Sequence, residues 1–243
     1  MSENTIQLKM GQQNGLRKKE KRLKLPNKII PIPCADKDAW SERWYPNRNL
    51  LNFPHSWRGV FCGPPSCGKT NLIKNIILRA QPPFEEVIVC HYSSEDTKEW
   101  DDVDCEIVKE IPSPHDFSID NKKLLILEDI DLSSLKKTDL GNLNRLYGYA
   151  SSHKNLSIAL TCQNAFDCPP CARRVSNIFV LFKSADLNAL AMLASRTGLK
   201  SRDLLDIFKK YILDNHNNLI VDLTVNSPAR LRIDGYKVLE LSD

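Results

Sequence analysis

An α/β fold with a mainly parallel sheet flanked by helices is predicted by three features of this sequence. Short apolar, β-branched runs alternate with segments whose apolar residues recur at helical spacing. One apolar run enters a glycine-bounded turn and leaves it as an amphipathic helix. Another apolar run ends in two adjacent carboxylates.

Residues 1–30 open the chain as a polar, basic arm expected to be disordered. Lys9, Arg17, Lys18, Lys19, Lys21, Arg22, Lys24 and Lys28 stand against Glu3 and Glu20, a local charge of +6. The whole chain carries +4, so residues 31–243 sum to −2 and the basicity belongs to the arm. Such an arm can meet nucleic acid, an acidic partner or an import receptor, or remain a solvated tail. Residues 31–56 carry Pro31, Pro33, Pro46 and Pro54 among Trp40, Trp44, Tyr45 and Phe53, the composition of an extended strap packed on a domain. The domain itself is expected over 57–243.

Trp57-Arg58-Gly59-Val60-Phe61-Cys62 reads as the first buried strand. A helix follows from Thr70 to Ala80, with apolar residues at 72, 73, 76, 77 and 80, and Pro82-Pro83 stops it. Val87-Ile88-Val89-Cys90 is the second strand. Residues 95–110 are acidic and read as a surface excursion. Leu124-Leu125-Ile126-Leu127 is the third strand, followed by Glu128-Asp129. Residues 139–150 suit a helix. Leu156–Thr161 and Ile178–Phe182 are the fourth and fifth strands. Residues 185–196 and 202–213 read as two helices separated by Gly198. Residues 219–225 and 230–239 alternate as a hairpin across Asn226-Ser227-Pro228.

Composition excludes several classes. No apolar run approaches the 18 or so residues of a membrane span, so no membrane partner is expected. Met1-Ser2-Glu3-Asn4 begins no apolar h-region, so a secretory signal is not expected. The eight cysteines, at 34, 62, 67, 90, 105, 162, 168 and 171, then read as reduced thiols, with Cys90 and Cys162 as core residues. Cys168-Pro-Pro-Cys171 has zinc-knuckle spacing without a second pair, and its two prolines favour a turn over a helix start. A metal site from Cys162, Cys168, Cys171 and a remote histidine stays a minor alternative.

The strongest motif is Gly63-Pro64-Pro65-Ser66-Cys67-Gly68-Lys69-Thr70, the phosphate-binding loop pattern G-x-x-x-x-G-K-[ST] (Walker A), with Asn71 beside it. Backbone N–H groups at a helix start favour a polyphosphate such as that of ATP. Lys69 is placed to reach the β- and γ-phosphates, and the Thr70 hydroxyl to ligate Mg²⁺. Cys67 lies next to the helix N-terminus, which lowers a thiol pKa, so an alkylatable thiol protected by nucleotide is expected. About 60 residues on, Glu128 and Asp129 form a Walker-B-like end. Glu128 is the expected Mg²⁺ carboxylate and Asp129 the group that orients the attacking water, although Glu-Asp reverses the usual order. Gln163 ends the fourth strand on the phosphate-loop edge of the sheet, where an amide can meet the γ-phosphate or the water.

Gly63–Asn71, Leu124–Asp129 and His153-Lys154-Asn155-Leu156-Ser157 through Gln163, together with Pro169-Pro170 and Arg173-Arg174-Val175-Ser176-Asn177 through Lys183, resemble the FtsK–HerA superfamily of P-loop ATPases. Within it they are most similar to viral genome-packaging ATPases of the poxvirus-like and Polinton/adintovirus-like type. The resemblance covers roughly residues 50–200. It implies an ASCE/RecA-like P-loop NTPase fold and a homo-oligomeric ring that hydrolyses Mg-ATP to translocate double-stranded DNA. It also implies a capsid or portal-type partner, and placement in the host nucleus, a cytoplasmic assembly site or the virion. Such motors take an arginine from the neighbouring subunit. Where the family often has Arg before the position of His153, this chain has Ser152. Arg145, then Arg173, are therefore the favoured fingers, with Arg174 and Arg196 as further candidates.

Other classes fit less well. Asn121-Lys122-Lys123-Leu124 lacks the aspartate of a guanine-reading motif. Residues 164–177 hold only Arg173 and Arg174, few for a kinase lid. No Leu-Ser-Gly-Gly transporter signature is present. A small P-loop kinase and a nucleotide-gated scaffold of a viral particle remain as alternatives to the motor.

Overall fold

Nine strands and five helices form between residues 51 and 239 of this computed structural model, which describes residues 51, 53–92, 97–128, 130, 131, 134–184, 186–224, 227 and 229–239. The basic arm, the strap residues Trp40, Trp44 and Tyr45, and Asp129 lie outside the described residues. In chain order the elements are β1 (Arg58–Cys62), α1 (Lys69–Leu78), β2 (Glu86–His91), β3 (Glu106–Val108) and β4 (Lys123–Glu128). Then come α2 (Lys137–Arg145), β5 (Leu156–Cys162), α3 (Pro170–Val175), β6 (Ile178–Phe182), α4 (Leu187–Thr197) and α5 (Ser201–Tyr211). Three short strands close the domain: β7 (Asn218–Asp222), β8 (Leu231–Ile233) and β9 (Lys237–Val238).

The strands form one sheet in the order β3-β2-β4-β5-β1-β6-β7-β8-β9. The first six in that order pair in parallel and the last three join antiparallel. Parallel strands carry helices on both faces, so their residues are apolar on both sides. In β4, Leu124 and Ile126 enter one core with Trp57, Phe61, Ile73 and Ile76, while Leu125 and Leu127 enter the other with Leu143, Leu146 and Tyr147. Helix α1 therefore covers one face, and α2 to α5 cover the other. The described end of the strap belongs to the first core: Leu51 and Phe53 are buried there, and Phe53 meets Trp57 edge-on at 5.2 Å.

Four elements differ from the sequence reading. The acidic stretch 95–110 is not wholly a surface excursion: Trp100 is buried and Glu106–Val108 extends the sheet beside β2. Charge on flanking positions hid both. The helix expected at 139–150 starts at Lys137 and widens after Arg145 into a π-helical turn over Leu146–Ala150. The hairpin exists, but β7 is buried throughout and is not half-solvated, because it pairs with β6 inside the sheet. Its second arm is broken at Asp234-Gly235 into β8 and β9. Finally, Cys168-Pro-Pro-Cys171 does open a helix: Pro170 takes the first position of α3, where its missing N–H costs nothing.

Candidate active site

Strand β1 delivers the phosphate loop at the C-terminal edge of the parallel strands. Cys62 pairs in register with Cys162 of β5, and the Gly63 N–H donates to the Cys162 carbonyl at 3.1 Å. Gln163 therefore lies one residue beyond the point where the loop leaves the sheet. A Cβ at Gly63 would stand 2.6 Å from Phe182 Cβ and 2.8 Å from the Cys67 sulfur, so only glycine passes. Ser66 (φ 59°) and Gly68 (φ 99°) both take left-handed backbone. Such alternation turns successive N–H groups to one side, the geometry of an anion nest, at the start of α1.

Lys69 folds back across this loop. Its ammonium donates to the carbonyls of Gly63 (2.8 Å) and Pro64 (2.9 Å). A polyphosphate entering the loop competes for those donors with charge-assisted bonds. The adjacent Thr70 hydroxyl donates to Glu128 Oε1 at 2.6 Å, although 58 residues separate them. The other Glu128 oxygen, Oε2, accepts from Trp100 Nε1 at 2.7 Å. Trp100 is 1% and Glu128 3% exposed, so this carboxylate is fixed inside the protein by one donor on each oxygen.

Trp100 escaped the sequence reading because it sits in the acidic excursion. The excursion is pinned to α1, where Lys74 lies 5.7 Å from the Trp100 ring centroid and pairs with Asp102 at 2.5 Å. That bond holds the Asp102 carboxyl below its ordinary range. A tryptophan flanked by Lys98-Glu99 and Asp101-Asp102 was the available signal: a large apolar ring in a charged segment has to be buried somewhere.

Gln163 is exposed at the end of β5. It borders a cavity of about 660 Å³ with Asp131, Leu140, Phe166 and Pro169. The next residue ties this turn to α4. Asn164 Nδ2 donates to Asp186 Oδ2 at 3.0 Å, while Asp186 Oδ1 caps α4 by accepting from the N–H groups of Asn188 and Ala189.

The arginines separate by environment. Arg145 ends α2 and is exposed, as is Arg174 on α3. Arg173 is half-buried and its Nη1 is directed at the Met192 sulfur of α4. The Arg196 side chain lies outside the described residues.

Cys67 departs from expectation. It is 1% exposed, and burial pushes its thiol up, with Lys69 opposing only in part. The desolvation cost of a thiolate outweighs the helix-start potential. Burial likewise pushes Cys168 up to about 12 and raises Cys171, so this Cys-x-x-Cys pair lacks thiolate character. Among the described residues no group of three His, Cys, Asp or Glu side chains is arranged to hold a metal ion, Cys162, Cys168 and Cys171 included. Nor, among them, is any helix long and apolar enough to cross a membrane.

No protein-family model matches the chain, and no curated protein sequence matches it. Solved structures do. The genome packaging NTPase B204 from Sulfolobus turreted icosahedral virus 2, in complex with sulfate, aligns with a TM-score of 0.52 at 17% identity, over 76% of this chain and 98% of that one. The same protein in complex with ATP-gammaS aligns at 0.50 and 19% identity over the same shares of each chain. B204 described as the DNA-packaging ATPase from Sulfolobus turreted icosahedral virus aligns at 0.53 and 16% identity, over 75% and 97%. The phosphate loop, the parallel sheet around it and this near-complete overlap together show that the chain has the P-loop NTPase fold found in viral genome-packaging NTPases.

Proposed function

We propose that this chain is an ATP-hydrolysing motor of the FtsK–HerA kind, which translocates double-stranded DNA and packages a viral genome into a capsid. The observation that carries the hydrolase part is the 2.6 Å contact between Thr70 and Glu128 at the mouth of the Lys69 loop. It joins the two motifs that nucleotide hydrolysis needs, across the sheet from β1 to β4.

The donor set there suits Mg²⁺. A hydroxyl and a carboxylate, both hard oxygen donors, meet with one carboxylate oxygen already anchored by an indole N–H. Thr70 and Glu128 are the residues that would hold the ion, which when bound neutralises charge on the β- and γ-oxygens. Lys69 moves from its own loop carbonyls to the phosphates. Gln163, beside the loop exit, meets the γ-phosphate or the attacking water, and Asp129 is assigned the orientation of that water. Stabilising the transition state falls to an arginine from a second copy of the chain. Arg145 fits that task better than Arg173, since it is exposed while Arg173 is turned against its own chain. The basic arm supplies sequence-independent phosphate contacts, which suit a packaging motor.

The test is the ATPase rate of wild type and Lys69→Ala, each with and without duplex DNA. The expected result is turnover that duplex DNA stimulates and that the variant lacks. Hydrolysis retained in Lys69→Ala rejects the phosphate-loop assignment. Wild-type turnover indifferent to DNA rejects the motor and favours the nucleotide-gated scaffold.

A further inference from the structure

The loop from Ile212 to Asn217, between α5 and β7, leans on the phosphate loop from the side opposite Glu128 and Gln163. The sheet order makes the sides distinct: β5 and β4 lie to one side of β1, and β6 and β7 to the other. Three contacts hold this second loop in place. Lys183, just past β6, donates to the Leu213 carbonyl. Asn217 donates to both carboxylate oxygens of Asp234 at 3.2 Å, and its own amide oxygen accepts from the Asp214 N–H at 3.0 Å. Between these anchors, His216 Nδ1 lies 3.3 Å from the Cys67 carbonyl and 3.7 Å from the place a Cβ would occupy on Gly68.

A carbonyl only accepts, so Nδ1 carries the proton in that contact. The neutral ring then presents Nε2 as an acceptor. His216 is exposed, so Nε2 is open to a ligand. A nucleoside triphosphate in the loop has its γ end toward Glu128 and Gln163. Its nucleoside end then leaves on the side of β6 and β7, where His216 stands.

Resting on the nucleotide-hydrolase reading above, we infer that the 213–217 loop is the nucleoside-side wall of the site and that His216 Nε2 accepts a hydrogen bond from a nucleoside donor. The donor is a ribose hydroxyl or the exocyclic amine of the base. Neither the phosphate-loop motif nor the acidic strand points to this residue, because His216 comes 149 residues after Cys67.

Equilibrium binding of ATP and of inorganic tripolyphosphate to wild type, His216→Ala and Lys69→Ala tests the inference. Tripolyphosphate fills the phosphate loop without a nucleoside. The expected result is a roughly three- to tenfold loss of ATP affinity in His216→Ala, the size of one neutral hydrogen bond, with tripolyphosphate changed by less than about twofold. With 2′,3′-dideoxy-ATP the His216→Ala penalty disappears if a ribose hydroxyl is the donor, and with inosine triphosphate if the amine is. A penalty that persists with both analogues overturns the inference. So does an equal loss for ATP and tripolyphosphate, since His216 would then only shape the phosphate loop, and so does no loss at all. Lys69→Ala separates this failure from that of the underlying reading. If it binds ATP and tripolyphosphate like wild type, the nucleotide site itself is misassigned. If it weakens both while His216→Ala leaves ATP unchanged, only the role of His216 is wrong.

Discussion

Replacing Trp100 by Phe removes one hydrogen-bond donor and part of one ring from a site with almost no solvent. The indole N–H donates at 2.7 Å to Glu128 Oε2, and the residues are 1% and 3% exposed. Water cannot easily replace the lost donor, so the carboxylate oxygen is left unsatisfied. A hydrogen bond to a charged group contributes about 1.5–3 kcal/mol, and the smaller ring leaves a cavity besides. Together these lower unfolding stability by about 2–4 kcal/mol, read from urea unfolding. The second consequence is specific to the site. With Oε2 released, Glu128 rotates away from its contact with Thr70, and the half-saturating Mg²⁺ concentration for ATP hydrolysis rises about 10- to 100-fold, as is typical when a ligand's supporting contact is lost. Stability lost at unchanged Mg²⁺ dependence would refute the positioning argument and leave Trp100 as core packing alone.

The carboxylates at the end of β4 are separable by the same assay. Asp129→Asn is expected to bind ATP and hydrolyse it about 10²–10⁴-fold more slowly, whereas Glu128→Gln mainly raises the Mg²⁺ requirement. The reverse pattern exchanges their roles. For Cys67, burial predicts that iodoacetamide leaves the folded protein active with or without Mg-ATP and labels this thiol only on unfolding; rapid inactivation that nucleotide slows would contradict the burial. The raised thiol pKa also fixes a sign: the folded state keeps its proton longer than the unfolded one. The contribution of Cys67 to stability is therefore complete below the ordinary thiol range and is lost as pH rises through the folded pKa, which alkaline unfolding curves of Cys67→Ser against wild type can read.

Much of the catalytic end was legible because its chemistry is local. Gly63 to Thr70 must be contiguous to wrap one phosphate group, and the pattern survives in the chain order. The five parallel strands read from sequence, β1, β2, β4, β5 and β6, were visible because burial on both faces makes each a continuous apolar run. The short edge strand β3 was not, since two of its three residues are exposed and one face of the sheet edge needs no apolar side chain. Cys67 was misread for a related reason: the motif locates it at a helix start but says nothing of Gly63 and Phe182 closing over it.

The sequence by itself determined that a polyphosphate loop enters a helix, that an acidic strand and a glutamine strand follow, and hence that an α/β sheet carries them. It could do so because hydrophobic periodicity and loop chemistry are properties of neighbouring residues. The tertiary structure alone decided which distant groups converge. Strand order placed β4 and β5 on one side of the phosphate loop and β6 and β7 on the other. That order sends Trp100 beneath Glu128, sets Thr70 against its carboxylate, and brings His216 to the Cys67 carbonyl. Convergence of this kind depends on how the strands are permuted in the sheet, and a chain read from end to end carries no local signal of that permutation.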